Sequence, residues 1–136
     1  MSEESISNIY IDQLMKKISW SFRGTFSCNN IPIFNDENFS LIVNLSREGE
    51  IGTHFIAIII SSNQILYFDS FGIQNTNDDI KKYLKKYKRK ISYSKNQIQH
   101  LSSSHCAFFC ISFVLSIENW ISPKLYFKLF DKKCCV

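Results

Sequence analysis

Gly52-Thr53-His54-Phe55-Ile56-Ala57-Ile58-Ile59-Ile60 runs into Ser61-Ser62-Asn63-Gln64 and then Ile65-Leu66-Tyr67-Phe68-Asp69-Ser70-Phe71-Gly72; the fold turns on this stretch. His54 to Ile60 is rich in β-branched residues and reads as the strongest strand of the chain. The next four residues make a hairpin loop, and Ile65 to Phe68 returns as an antiparallel partner. The hairpin has a chemical consequence. His54 opens one strand and Asp69 closes the other, so strand pairing carries an imidazole and a carboxylate to one edge.

Working outward, Leu41-Ile42-Val43-Asn44-Leu45 is a second short strand, joined to the first by a polar connection from Arg47 to Gly52. Upstream, Asn29-Asn30-Ile31-Pro32 reads as loop and Phe22-Arg23-Gly24-Thr25 as a turn. Ile11, Leu14, Met15 and Ile18 recur at helical spacing and predict an amphipathic helix over residues 8–19. Downstream, Ile80, Tyr83, Leu84 and Tyr87 mark a second helix, with Asp78 or Asp79 as N-cap. Lys90 to Ser94 suits another strand. After Ser102-Ser103-Ser104, the segment from Cys106 to Trp120 is apolar on nearly all sides, which predicts a buried helix. Pro123 separates it from Leu125–Phe130, whose type the pattern does not assign.

The chain has 136 residues, without repeats or an internal linker, and reads as one domain over 1–136. Its content of 45% hydrophobic and 21% charged residues places it among globular rather than disordered chains. The longest apolar run, Phe55 to Ile60, is far too short to span a bilayer. The first residues, Met1-Ser2-Glu3-Glu4, lack the order of a signal peptide, so a reducing compartment inside the cell and no secretion are expected. Five cysteines at irregular spacing argue against a disulfide framework. The net charge of +4 is too small by itself to declare a nucleic-acid binder.

Four residues suit thiol chemistry. Cys106 follows a serine-rich segment and begins a helix, where unpaired N–H groups and the helix dipole favour a thiolate. His54 comes from a separate element, as a general base must, and Asp69 is placed to orient it. Gln99, seven residues before Cys106, offers a side-chain amide beside the Cys106 N–H for an oxyanion. Each has an ordinary alternative: a core thiol for Cys106, a structural histidine for His54, a turn-forming Asp for Asp69 and plain surface polarity for Gln99.

The joint order of these pieces is specific. Ile42-Val43-Asn44, Gly52-Thr53-His54-Phe55, Asp69-Ser70-Phe71-Gly72, Gln99 and Cys106-Ala107-Phe108-Phe109-Cys110 together resemble the adenovirus maturation proteases, from the N-terminal helix to about Asn119. Phe22-Arg23-Gly24-Thr25-Phe26 resembles that family's early Gly-Thr-aromatic segment. Phe55 stands where the family has Trp, Ala107 where it has Gly, and Ser70 where it has Pro. Asp rather than Glu at position 69 is closer to the SUMO-protease relatives. The resemblance implies an α+β, papain-like or adenain-like cysteine protease fold, with a central, mainly antiparallel sheet and the nucleophile helix packed against it. It implies a viral or mobile-element endopeptidase acting in the virion and host cell interior. Cys106 is then nucleophile, His54 base and acid, Asp69 the orienting carboxylate and Gln99 the oxyanion donor. Implied substrates are capsid or core precursors cut next to glycine. No cofactor is required for the chemistry, with DNA and a viral peptide implied as activators. A monomer without membrane attachment is expected.

Two rival readings come from other clusters. Lys81, Lys82, Lys85, Lys86, Lys88, Arg89 and Lys90 crowd ten positions with no acid among them. They form either a solvated helix face or a nucleic-acid-binding patch. His100, His105, Cys106 and Cys110 include zinc-ligand types, but the Cys-x-x-Cys spacing is missing and adjacent His105 and Cys106 point apart on a helix, so no metal is expected. A noncatalytic virion protein, basic or zinc-containing, is therefore the alternative.

Overall fold

Both faces of the central sheet are covered, and for this reason its inner strands read as near-continuous apolar runs instead of alternating ones. A computed structural model describes residues 8–46, 54–75, 77–95, 97–98 and 105–128. The strands are β1 (Phe22–Ser27), β2 (Phe39–Asn44), β3 (Phe55–Ile60), β4 (Gln64–Phe68) and β5 (Lys90–Tyr93). They form one five-stranded sheet in sequential order. The helices are α1 (Asn8–Ile18), α2 (Asp78–Lys85), α3 (Cys106–Glu118) and α4 (Pro123–Lys128).

The period-two alternation of strand side chains divides the apolar residues between two cores. On one face Ile42, Phe55, Ala57 and Phe68 pack with Ile11 and Met15 of α1, with Phe113 and Val114 of α3 and with Tyr126 of α4. On the other, Leu41, Val43, Ile56, Ile58 and Tyr67 pack with Ile80, Tyr83 and Leu84 of α2. All six residues of β2 are buried.

The β3–β4 hairpin forms with the antiparallel pairing that its sequence predicts, Ala57 opposite Phe68 and Ile60 opposite Ile65. The β2–β3 pair is antiparallel too. The sheet is nevertheless mixed, not mainly antiparallel, because both edges are parallel: β1 with β2 and β5 with β4. The β4–β5 connection contains α2, the kind of crossover that parallel neighbours require.

Three local expectations change. Phe22–Thr25 is not a turn but the start of edge strand β1, whose register slips between Phe22 and Gly24. Gly24 has φ of +153° and a Cβ there would lie 2.6 Å from the Phe26 ring, so its glycine serves a bulge. The N-cap of α2 is Asn77, whose side chain accepts the Ile80 N–H, in place of Asp78 or Asp79; the two acids lie in the first turn, where the helix dipole favours them. Pro123 opens α4, as its fixed φ allows at a first helical position.

Candidate active site

Asp69 is held by the turn that follows β4. Its Oδ1 accepts the Phe71 N–H at 2.8 Å, and its carbonyl accepts the Gly72 N–H at 2.8 Å. Gly72 has φ of +72°, a conformation suited to glycine. The Asp69 N–H donates to Ser94 Oγ at 2.9 Å, and that hydroxyl donates back to the Asp69 carbonyl at 3.2 Å. The carboxyl group is therefore fixed from both sides of its own backbone. The turn-forming and functional readings of Asp69 are both satisfied by one side chain.

His54 sits just before β3, where its carbonyl accepts the Leu45 N–H at 2.9 Å and extends the β2–β3 ladder by one rung. The hairpin brings its ring to Asp69, with Nε2 2.9 Å from Oδ1. The Cys106 sulfur lies close enough to the ring to act on its titration. With Nε2 engaged by Asp69, Nδ1 is the nitrogen left for the thiol. The Phe71 ring lies nearly parallel to the imidazole, with centroids 4.6 Å apart and 14° between planes.

Cys106 is the first residue of α3 and is 4% exposed. Its sulfur accepts the Phe55 backbone N–H at 3.3 Å. One β3 residue thus bonds the sulfur while its sequence neighbour supplies the imidazole. Ala107 is buried in the same core, beside Phe55, Phe68 and Cys110. Cys110, one turn further along the helix, is fully buried, and burial pushes its thiol well above the ordinary range.

The electrostatics of the imidazole follow from these interactions. Burial, the largest single influence, disfavours the charged ring. Hydrogen bonds to Asp69 and Cys106, and the charges of both, outweigh it and raise His54 from 6.5 to about 9. The ring is 17% exposed. At neutral pH the His54 ring is therefore favoured in its protonated form, beside the Asp69 carboxylate.

No protein-family model and no curated protein matches the chain. Among solved structures, it is similar to the selenomethionine crystal structure of the ASFV pS273R protease, with a TM-score of 0.45 and 16% identity. The alignment covers 71% of this chain and 39% of that one, so the match spans well under half of that protein's length.

The structure brings His54, Asp69 and Cys106 together from the edge of β3, the end of β4 and the start of α3. Gln99 lies outside the described residues. Ile98 donates its N–H to the Ser70 carbonyl at 2.9 Å. Gly52, Thr53, His100, Cys134 and Cys135 also lie outside the described residues. His105 is exposed and Cys106 buried, and among the described residues no three His, Cys, Asp or Glu side chains are grouped to hold a metal. Three contributors escape the sequence reading: Phe71 as the imidazole cover, the Phe55 N–H on the sulfur and Ser94 behind Asp69. The Asp-x-Phe-Gly turn carries a signal for the first; a backbone donor and a remote serine carry none.

The basic cluster divides. Lys81, Lys82, Lys85, Lys86, Lys88 and Lys90 are exposed. Arg89 donates to the Ser61 carbonyl at 2.7 Å and to the Glu37 carbonyl at 3.3 Å, bracing two loops against the start of β5. Tyr83 and Tyr87 turn inward and bond one another at 2.9 Å. Among the described residues, no helix is long and apolar enough to cross a membrane.

Proposed function

We propose that this protein is a cysteine endopeptidase of the viral maturation type, acting through a thioester acyl-enzyme. The observation that carries the proposal is the imidazole of His54, bonded to Asp69 at 2.9 Å, with the Cys106 sulfur held at 3.3 Å by the N–H of the next residue, Phe55. The raised His54 favours an imidazolium beside Cys106 as the resting state. The Cys106 sulfur attacks the scissile carbonyl carbon, and the carbonyl electron pair moves onto oxygen. The Cys106 N–H and the Gln99 amide donate to that oxyanion. As the tetrahedral intermediate collapses, the C–N bond breaks and His54 gives its proton to the leaving amine. Water then attacks the thioester, losing a proton to His54, and the acid product leaves as the thiolate is restored. Asp69 keeps the ring oriented and its cation stabilised throughout.

The motif likeness to adenovirus maturation proteases extends the proposal to its biology. Substrates are capsid or core precursors, cut beside glycine, in the virion or host cell interior, by a monomeric single domain. The exposed lysines of α2 and the turn after it suit a DNA activator, and a viral peptide is the second candidate activator. Charge is the specific observation behind the DNA reading, since like charges fanned outward favour an anionic partner.

The deciding experiment is labelling with a thiol-reactive peptide vinyl sulfone, followed by mapping of the modified cysteine. Modification of Cys106, loss of labelling in His54→Ala and loss of precursor cleavage by at least about 1,000-fold in Cys106→Ala are expected. Cleavage that survives Cys106→Ala sinks the proposal.

A further inference from the structure

The far end of α3 carries a second feature that thiol chemistry does not use. Cys106 and Glu118 are the two ends of that helix, about 18 Å apart along its axis. Beside Glu118 lies a cavity of about 250 Å³, walled by Phe39, Ile60 and Val114 and flanked by Trp20 and Trp120. That volume is below the roughly 300–1,000 Å³ of pockets for drug-sized ligands, so it suits one side chain better than a cofactor.

Trp120 combines an unfavourable backbone conformation with near-complete exposure. Its N–H bonds to the Ile117 carbonyl, and the Ile121 N–H bonds to the Ser116 carbonyl, the pattern of a Schellman cap. Trp120 therefore holds the left-handed position of that cap, with φ of +67°, where glycine is favoured. A bulky residue there is an outlier. It is 95% exposed, so the fold gains little burial from it, and Trp20, which also lines the cavity, is 69% exposed. Strain without burial points to a surface role.

Glu118 adds charge. Its Oε2 accepts from the Ser21 N–H at 3.1 Å and from the hydroxyls of Ser19 and Ser21. The carboxyl is thus fixed in place beside an apolar cavity whose lining contains no basic residue. Indole faces and a carboxylate attract an organic cation, while the apolar wall takes its aliphatic stem.

We propose that this cavity is a docking site for a lysine side chain of a partner polypeptide, with the ammonium at Glu118 between the indoles. The proposal does not depend on the thiol chemistry, because the site shares no residue with it. The protein has only two tryptophans, Trp20 and Trp120, so its indole N–H spectrum consists of probes of this cavity. The test is an NMR titration of the full chain with blocked glycyl-lysyl-glycinamide, its norleucine counterpart and n-butylammonium. Saturable shifts of both indole signals by the lysine peptide are expected, with about tenfold weaker binding of the norleucine peptide. Glu118→Gln should weaken the lysine peptide about fivefold, and Trp120→Gly, which relieves the cap and so folds, should weaken it at least as much. Binding should persist in Cys106→Ala. Equal binding of the norleucine peptide, or no saturable shift, overturns the proposal. So does n-butylammonium binding as tightly as the peptide, since the site would then read a free amine.

Discussion

A histidine held between a carboxylate and a sulfur titrates under the influence of both, and its pH behaviour follows. His54 is raised to about 9 because its bonds to Asp69 and Cys106 outweigh the effect of burial. A folded-state value above the unfolded one means that folding favours the protonated ring. The stability this supplies is fully present below the unfolded value of about 6.5 and is lost as pH rises through about 9. The difference in Tm between the parent and His54→Gln should therefore be larger at pH 6 than at pH 10. The basic limb of the kcat/KM profile should lie near 9, where the imidazolium is lost. Asp69→Asn removes the negative charge beside Nε2, so that limb should move to lower pH. Its loss of activity should be smaller than that of Cys106→Ala or His54→Ala. A limb that stays in place in Asp69→Asn contradicts the pairing.

At the scale of the element, α3 is asked to do different things at its two ends. Its N-terminus presents Cys106 to the β3 edge, and its C-terminus ends in a cap with Trp120 in the left-handed region. Replacing Trp120 with glycine should raise stability by about 1–2 kcal/mol, seen as a higher denaturant midpoint at unchanged slope, because that conformation costs an L-residue about this much. The legibility of the elements differs for a physical reason. The β3–β4 hairpin is readable because its apolar run, its short loop and its return strand are adjacent in sequence. Helix α3 is readable as a helix, but it ends at Glu118 and buries one face rather than all sides: Phe108 is half exposed and Trp120 lies beyond its end at the surface. Phe22–Thr25 misleads because glycine marks a bulge as well as a turn, and only the neighbouring strand decides between them. Asn77 caps α2 ahead of two acids because the cap depends on which residue keeps non-helical dihedrals.

At the scale of the molecule, the core around α3 explains how the site is held. Phe113 of α3 stacks on Phe68 at 4.4 Å and meets Tyr126 edge-on at 5.2 Å. Phe68 immediately precedes Asp69, and α3 begins with Cys106. Phe113→Ala should destabilise the protein by about 3–5 kcal/mol in urea unfolding. It should also lower activity below the new Tm, since the cavity frees both supports of the site. The opposite face of the sheet carries α2 and its exposed lysines. Simultaneous replacement of Lys81, Lys82, Lys85 and Lys86 with glutamine should weaken binding to duplex DNA. The log–log dependence of affinity on salt should flatten by about 0.9 for each phosphate no longer neutralised. An unchanged slope means that these lysines face only water.

Local pattern alone determined the hairpin, the existence of helix α3 and the inward face of α2, because periodicity and turn chemistry act between residues close in sequence; the set His54, Asp69 and Cys106 was singled out by the resemblance of its ordered motifs. Three-dimensional packing decided the rest: the parallel edges of the sheet, Phe71 lying over the imidazole, the Phe55 N–H on the sulfur, Ser94 behind Asp69 and Glu118 beside two exposed indoles. Those interactions join residues from separate elements, and no short-range preference encodes which element will arrive beside which.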